Sequence, residues 1–356
     1  MSDIAGWAVV RADASASVGT GHVVRCRTLA DALAARGWTV TLASRSLPEA
    51  LRSSWTDAGH GLLPLLPDLP IEGEPEALAS LGERSPDLVI GDHYGLGPAW
   101  WERLSARLPG ATRMAIEDNA GPPIAVDLLL DQNLGALAGP DRAAPSPGRH
   151  PPRILAGPAY ALVRPEFAEL RATLRPRDGT IRRILVFLSG ADVPDVTARA
   201  VRALAARSIP ADIVVGAAYP HGARLRDLVA DHPLLRLHVN TPRMADLMAE
   251  TDLSIGAVSS ATWERCTVGL PAVVITLADS QVVVERALVR AGAALAIGWH
   301  HEVTADDIGR AVDDLVADPV RVAAMARAAA RVTDGLGTER VVAAIETAVL
   351  ERTEER

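Results

Sequence analysis

The chain contains no lysine, and all 36 of its basic residues are arginine. Schiff-base chemistry, a pyridoxal-phosphate lysine and a Walker-A lysine are therefore excluded, because each needs an ε-amine. Cysteine is almost as scarce. Cys26 and Cys266 stand far apart in helical contexts, which suggests reduced thiols in a cytoplasmic protein rather than a disulfide framework. Aromatic residues make up 3% of the chain, so Ala, Val and Leu carry the apolar load. No stretch reaches the roughly 18–20 unbroken apolar residues of a membrane span. The opening, MSDIAGWAVVRADAS, has no basic n-region, and no signal peptide is expected. A net charge of −8 argues against nucleic acid as a partner, since phosphate backbones call for a basic surface.

What is present is ample hydrophobic material. With 356 residues, 49% of them hydrophobic, the chain exceeds one ordinary core, and two domains of about 150–200 residues each are expected. Short apolar runs alternate with amphipathic stretches. Strands read at 8–12, 39–43, 87–90, 113–116 and 128–130, with a helix at about 21–36. Residues 139–153, rich in Pro, Gly and Arg, read as an exposed loop, and a helix starts at Pro165. The Trp100-Trp101 pair reads as the core face of a helix. The short polar stretch 175–182 reads as a linker, after which the pattern restarts. Strands follow at 184–188, 212–215, 235–239, 253–255 and 272–275, and the end from 304 to 352 is helical. Such alternation implies parallel sheets covered on both faces. The expectation is an α/β chain of GT-B architecture. Two doubly wound Rossmann-like domains, 1–175 and 176–356, would face each other across a cleft, with C-terminal helices packing back on the first. Ligands of such sheets lie where strand C-termini meet helix N-termini.

Several candidate residues follow from this grammar. Asp13 closes the first strand, and Gly19-Thr20-Gly21-His22 opens the first helix. Paired glycines let backbone N–H groups approach a ligand at a helix N-terminus, where the dipole favours anions. A dinucleotide fingerprint would continue with a third glycine where Val24 stands, and no acid closes the second strand, so NAD(P) is disfavoured. His22 reads either as a packing residue or as a base, since a helix N-terminus keeps an imidazole neutral and able to accept a proton. Asp92, His93 and Tyr94 follow another strand, and His93 reads as a hydrogen-bonded strand end or a substrate contact. Asp118 ends the next strand, where a carboxylate meets a sugar hydroxyl or caps a helix.

The strings RADASASVGTGHVVRCRTLADAL, DLVIGDHYGL, IEDNA, LLLDQNLGA, GPAYALVRPEF and SSATWERCTVGLPAVVI occur in this order. Together they closely resemble the UDP-sugar hydrolases of the pseudaminic acid pathway, the PseG family, over about residues 7–298. The resemblance implies release of UDP from a diacetamido-trideoxyhexose by water attack at the anomeric carbon with inversion, without a metal or other cofactor. It implies His22 as general base and Tyr94 in the catalytic pocket. Asp13, Gly19, Gly21, Arg25, Asp92, His93 and Asp118 would form the sugar side.

In the second half, Ser259, Ser260 and Thr262 precede or open a helix carrying Glu264. In similar transferases a Glu at the matching place accepts the ribose hydroxyls, and Gln281 matches a place that touches the sugar. The turn Ser189-Gly190-Ala191-Asp192 should cradle phosphate. Ser189 stands where the family usually has glycine, so a left-handed backbone there would add strain of about 1–2 kcal/mol. Two other readings stay open: a GT-B glycosyltransferase with an unidentified acceptor, and a non-catalytic sugar-nucleotide-binding protein.

Overall fold

In a computed structural model, which describes residues 6–15, 19–81, 84–118, 121–135 and 151–354, the apolar runs form two parallel sheets. Clustering of the chain into compact units gives one unit to Leu162 plus the segment from Gly337 onward, and a second unit of Val163–Leu336. In the first unit, strands β1 (Trp7–Ala12), β2 (Thr39–Ser44), β3 (Gly61–Pro64), β4 (Leu88–Asp92), β5 (Thr112–Ile116), β6 (Leu128–Asp131) and β7 (Arg153–Ala156) build a seven-stranded sheet. Their order is β3-β2-β1-β4-β5-β6-β7, and every pairing is parallel. Every residue of the central strands β4 and β5 is buried, and their apolar cores, Leu88–Ile90 and Met114–Ile116, read as short runs rather than as alternation.

Helices α1 (Gly21–Ala34), α2 (Glu49–Asp57), α3 (Glu74–Ala79) and α4 (Pro98–Arg107) join these strands. Helix α1 buries Val23, Cys26, Leu29, Ala30 and Leu33, the three-to-four-residue spacing of one helical face. Trp100 and Trp101 of α4 are buried at 2% and 0% exposure, as a core face requires.

The second unit holds β8 (Ile184–Phe187), β9 (Ala211–Val215), β10 (Leu235–Val239), β11 (Leu253–Gly256), β12 (Ala272–Thr276) and β13 (Ala294–Trp299), in the order β10-β9-β8-β11-β12-β13. Its helices are α5 (Pro165–Thr173), α6 (Val196–Ala205), α7 (Gly222–Ala230), α8 (Met244–Glu250), α9 (Ala261–Thr267), α10 (Val282–Arg290), α11 (Ala305–Val316) and α12 (Pro319–Val332). The last helix, α13 (Gly337–Glu354), belongs to the first unit. It packs on α1 and β5 through buried Val341, Val342 and Ile345.

Strands β3, β7 and β13 escape the sequence reading. All three lie at sheet edges, where half-exposed residues break the apolar run. The loop expected at 139–153 lies outside the described residues up to 150, and its last residue opens β7. The division also falls at Leu162 rather than at 175, because α5 packs on α8 and α9 within the second unit. Nor is 175–182 a free tether. Arg177 donates to the carbonyls of Thr251 (3.0 Å), Met248 (2.8 Å) and Val268. No helix of the described residues is long and apolar enough to cross a membrane.

Candidate functional site

In each sheet the strand order reverses at one place, between β1 and β4 in the first and between β8 and β11 in the second. Crevices outside the carboxyl ends of strands at such reversals are where doubly wound sheets bind ligands. In the first sheet that point is polar and tightly connected. After β1, Ser15 and Gly19 exchange backbone hydrogen bonds of 2.8 and 3.3 Å. Gly19 has φ +84°, a left-handed backbone that glycine adopts at little cost. Gly21 opens α1, and His22 sits in its first turn.

His22 is 7% exposed, and its Nδ1 lies 2.6 Å from Asp92 Oδ1 at the end of β4. Asp92 is fully buried. Arg25, one turn along α1, donates to it from Nε (2.7 Å) and Nη2 (2.6 Å), and Cys26 Sγ lies 3.3 Å from its second oxygen. Burial opposes the charge on Asp92, but the Arg25 guanidinium and His22 outweigh it and hold the carboxyl far below the usual range. An ionised carboxylate accepts only, so in the neutral imidazole the proton belongs on Nδ1, facing Asp92, and Nε2 is the lone-pair nitrogen. Arg25 continues the chain of contacts, donating from Nη1 to Asp118 Oδ1 (2.8 Å). The same oxygen accepts from Asn133 Nδ2 (3.2 Å). The DHYGL, IEDNA and LLLDQN segments thus converge on one helix start.

Asp92 and Arg25 were expected against substrate. Both are buried within the protein, and they orient His22. Tyr94 is 58% exposed and meets the His22 ring edge-on, with centroids 4.8 Å apart. His93 Nδ1 accepts from the Gly95 N–H (2.9 Å), and its Nε2 lies 3.5 Å from Asp13 Oδ2. Burial and the nearby Arg11 charge push His93 below the ordinary histidine value. Asp13 is 6% exposed and holds its own strand ends together. Its Oδ1 accepts from Ser44 Oγ (2.9 Å), Arg45 N (2.7 Å) and Ser46 N (3.2 Å). Behind it, fully buried Arg11 pairs with equally buried Glu74 through two hydrogen bonds of 2.8 and 2.9 Å. Among the described residues, no group of three or more His, Cys, Asp or Glu side chains is placed to hold a metal.

In the second unit, Ser189–Asp192 follow β8 and Ser259–Glu264 follow β11. The left-handed backbone anticipated at Ser189 falls instead on Asp192 (φ 37°) and Asp195 (φ 58°). Ser189 Oγ accepts from Asp192 N at 2.7 Å, so serine closes the turn rather than straining it. Asp192 is 1% exposed, and its oxygens accept from Val196 N (3.2 Å) and Thr197 N (2.7 Å) at the start of α6. Expected on the diphosphate, it already neutralises that helix end itself. Burial pushes its carboxyl above the usual range, against those hydrogen bonds. Gly190 O accepts from Gly216 N (3.0 Å), and a Cβ on Gly216 would stand 2.3 Å from that oxygen. Glycine permits the turn, with Ala191 at its tip, to lie against β9.

Thr262 Oγ1 accepts from Ser259 N (3.0 Å) and from buried Arg265 (3.1 Å), which also donates to Ala257 O (2.9 Å). Ser260 makes no side-chain cap. Gln281 Oε1 accepts from Leu277 N (2.8 Å) ahead of α10. Glu264 stands in the first turn of α9, 12% exposed at its side chain, with Oε1 2.8 Å from Arg164 Nε. Sequence reasoning missed Arg164, Arg265, Cys26 and Asn133. All four stand in the motif strings quoted above, but nothing in a string says what a side chain touches.

No family model matches the chain. It is 26% identical over 294 residues to a spore coat polysaccharide biosynthesis protein, SpsG, of Bacillus subtilis, covering 81% of this chain and 82% of that one. A shorter match is 35% identical over 112 residues to the UDP-N-acetylglucosamine–N-acetylmuramyl-(pentapeptide) pyrophosphoryl-undecaprenol N-acetylglucosamine transferase of Gloeobacter violaceus, covering 30% of this chain and 31% of the transferase. Among solved structures, MurG of Acinetobacter baumannii superposes with a TM-score of 0.66 at 17% identity, over 96% of this chain and 99% of its own. With parallel sheets of seven and six strands and this likeness, the chain has the GT-B glycosyltransferase fold.

Proposed function

We propose that the chain is a nucleotide-sugar enzyme that cleaves a UDP-sugar at the anomeric carbon, with His22 activating the attacking oxygen. The observation that carries this reading is the His22–Asp92 contact of 2.6 Å at the β1/β4 reversal. It leaves Nε2 as an oriented base at the place where such a sheet takes its ligand. Nε2 takes the proton of an O–H nucleophile, whose oxygen bonds to the anomeric carbon. The bond from that carbon to the diphosphate oxygen breaks, and UDP leaves with the electron pair. Asp92 stabilises the imidazolium so formed, in the manner of the carboxylate in a catalytic triad. Tyr94, edge-on to the imidazole, walls the pocket, and Asp118 and His93 offer polar contacts to the sugar.

The second unit supplies the nucleotide site. In this reading the backbone of Ser189–Ala191 and the Ser259–Thr262 turn are the groups assigned to the diphosphate. Glu264, an acceptor-only group, takes hydroxyl donors of the nucleoside. The names of the relatives, a polysaccharide biosynthesis protein and an N-acetylglucosamine transferase, favour transfer to a hydroxyl-bearing acceptor. Attack by water is the second reading. It is favoured by the ordered motifs shared with the UDP-diacetamido-trideoxyhexose hydrolases and by a base only 7% exposed beneath Tyr94, which suits a small nucleophile.

The test is UDP release from a panel of UDP-linked hexosamines and diacetamido-trideoxyhexoses, with and without saccharide acceptors. Release that needs an acceptor establishes transfer, and release without one establishes hydrolysis. Absence of UDP binding and of turnover across the panel would refute the reading.

A further inference from the structure

We infer that Arg265 is a positioning residue for the anionic part of the ligand, its buried and unpaired guanidinium being the charge that a diphosphate balances. This rests on the second unit being the nucleotide site. Four arginines are buried among the described residues, Arg11, Arg25, Arg113 and Arg265. The first three each have a carboxylate against the guanidinium, Glu74 at 2.8 Å, Asp92 at 2.6 Å and Asp127 at 3.3 Å respectively. Arg265 pairs with no carboxylate among the described residues. Its Nη2 donates to the Ala257 carbonyl (2.9 Å) and to Thr262 Oγ1 (3.1 Å), both neutral acceptors, and its Nη1 has no hydrogen-bond partner there. Neighbouring ionisable groups do not supply the missing charge. Burial pushes the Cys266 thiol up to about 12, so it is neutral at pH 7, and Glu264 is engaged by Arg164 at 2.8 Å.

An arginine keeps its proton in a protein, and a charge held out of water without a counterion is costly. Burial presses Arg265 below the ordinary arginine value. That cost is offset when an anion arrives, and the place of the guanidinium says where. Gly256 and Phe187 are register partners at the carboxyl ends of β11 and β8. A Cβ on Gly256 would stand 2.6 Å from both Arg265 Nη1 and the Phe187 carbonyl oxygen, so glycine leaves the guanidinium its room. The unpaired nitrogen thus lies at the β8/β11 reversal, where such a sheet takes its ligand. Attraction between a buried cation and a bound anion is weakly screened and needs no direct contact. Arg265 also sets the turn beside it. Thr262 Oγ1 accepts from both Arg265 and Ser259 N, which leaves its own proton for a further acceptor.

Binding of UDP, uridine and inorganic pyrophosphate, measured calorimetrically on the full chain and its variants, tests this. Arg265→Met keeps an apolar stem and removes the charge. It should weaken UDP and pyrophosphate by about tenfold or more and leave uridine within about twofold. Arg265→Lys keeps the charge with fewer donors and should hold UDP within about threefold of the unmodified protein. If Arg265→Met weakens UDP and uridine alike, or leaves UDP unchanged, the residue only braces the turn and the proposal falls. A lysine variant as weak for UDP as the methionine one would place the effect on the hydrogen bonds rather than the charge, and would overturn it too. Should Arg265→Met not fold, Arg265→Gln, which retains an N–H donor for the Ala257 carbonyl, is read by the same criterion. If the unmodified protein binds neither UDP nor uridine, the nucleotide-site reading itself fails, and the role of Arg265 with it.

Discussion

Asp92 is surrounded by more donors than any substrate-facing group needs. Arg25 contributes two hydrogen bonds, and His22 and Cys26 one contact each. Asp92→Asn keeps the shape but lets the imidazole turn to either tautomer and leaves Arg25 with Asp118 alone. Breaking a buried pair costs about 3–5 kcal/mol, so this variant should melt well below the parent as well as lose turnover. His22→Ala should lower turnover by about 10²–10⁴-fold and leave UDP affinity nearly intact; equal loss of UDP binding would remove His22 from the role of base. His93 gives a pH prediction. Its folded-state value is depressed by burial and Arg11, so the unfolded chain takes up the proton first as pH falls through about 6.5. Its contribution to stability is therefore lost on acidification from there toward its lower folded value. His93→Gln should flatten the dependence of melting temperature on pH between about 7.5 and 5.5. At this scale the sequence makes His22 legible, because a lone imidazole beside two glycines at a strand-to-helix turn has few reasons to be there. It does not reveal that Asp92 and Arg25 face inward, since a strand-end carboxylate reads the same whether it meets sugar or arginine.

Helix ends show how a chain without lysine uses its arginines. Arg177 donates to three carbonyls at the ends of α8 and α9. Arg171 donates to Thr267 O and Thr333 O (2.9 Å each) and to Ala330 O (2.8 Å), near the ends of α9 and α12. A planar guanidinium with five donors can satisfy several terminal carbonyls at once, which an ammonium on a flexible stem does less well. Burial without a close carboxylate pushes Arg177 down to about 10, against the pull of Asp252, so it stays charged at neutral pH. Arg177→Met should cost about 3 kcal/mol, since hydrogen bonds to a charged group contribute about 1.5–3 kcal/mol each and relaxation recovers part. Urea melts would check it, and a loss below about 0.5 kcal/mol would mean water replaces the guanidinium freely. Central strands and α1 were legible from their apolar runs and spacing. The edge strands β3, β7 and β13 were not, because they are half exposed and lack a continuous run, whereas the edge strand β10 was read at its observed bounds, 235–239. The polar stretch around Arg177 looked like a tether for a related reason. A string of charged residues reads as solvated unless the carbonyls it serves are known.

Across the whole molecule, the two sheets were legible as a repeated grammar, and so was a return of C-terminal helices to the first unit, but not that α13 alone makes it. Nothing local distinguishes α13 from its neighbours α11 and α12, yet it returns to the first unit. Its buried Val341, Val342, Ile345 and Val349 join the core that includes Val10, Leu29 and Met114. Burying such side chains contributes about 1.5–3 kcal/mol each, enough in sum to match the usual stability of a domain. A chain ending at Leu336 should therefore lose the first unit's melting transition and keep the second's, since Val163–Leu336 is continuous in sequence. Two unchanged transitions by calorimetry would show that α13 is dispensable.

The central claim is that an oxygen nucleophile activated by His22 attacks the anomeric carbon of a UDP-sugar. The most direct measurement is turnover in ¹⁸O-water, with UDP, sugar and any glycoside followed by mass spectrometry, for the unmodified chain and His22→Ala. The account predicts unlabelled UDP, with the label on the sugar when water attacks or an unlabelled glycoside when an acceptor does, and loss of both products in His22→Ala. Label in the phosphate of UDP would mean attack at phosphorus and would contradict it.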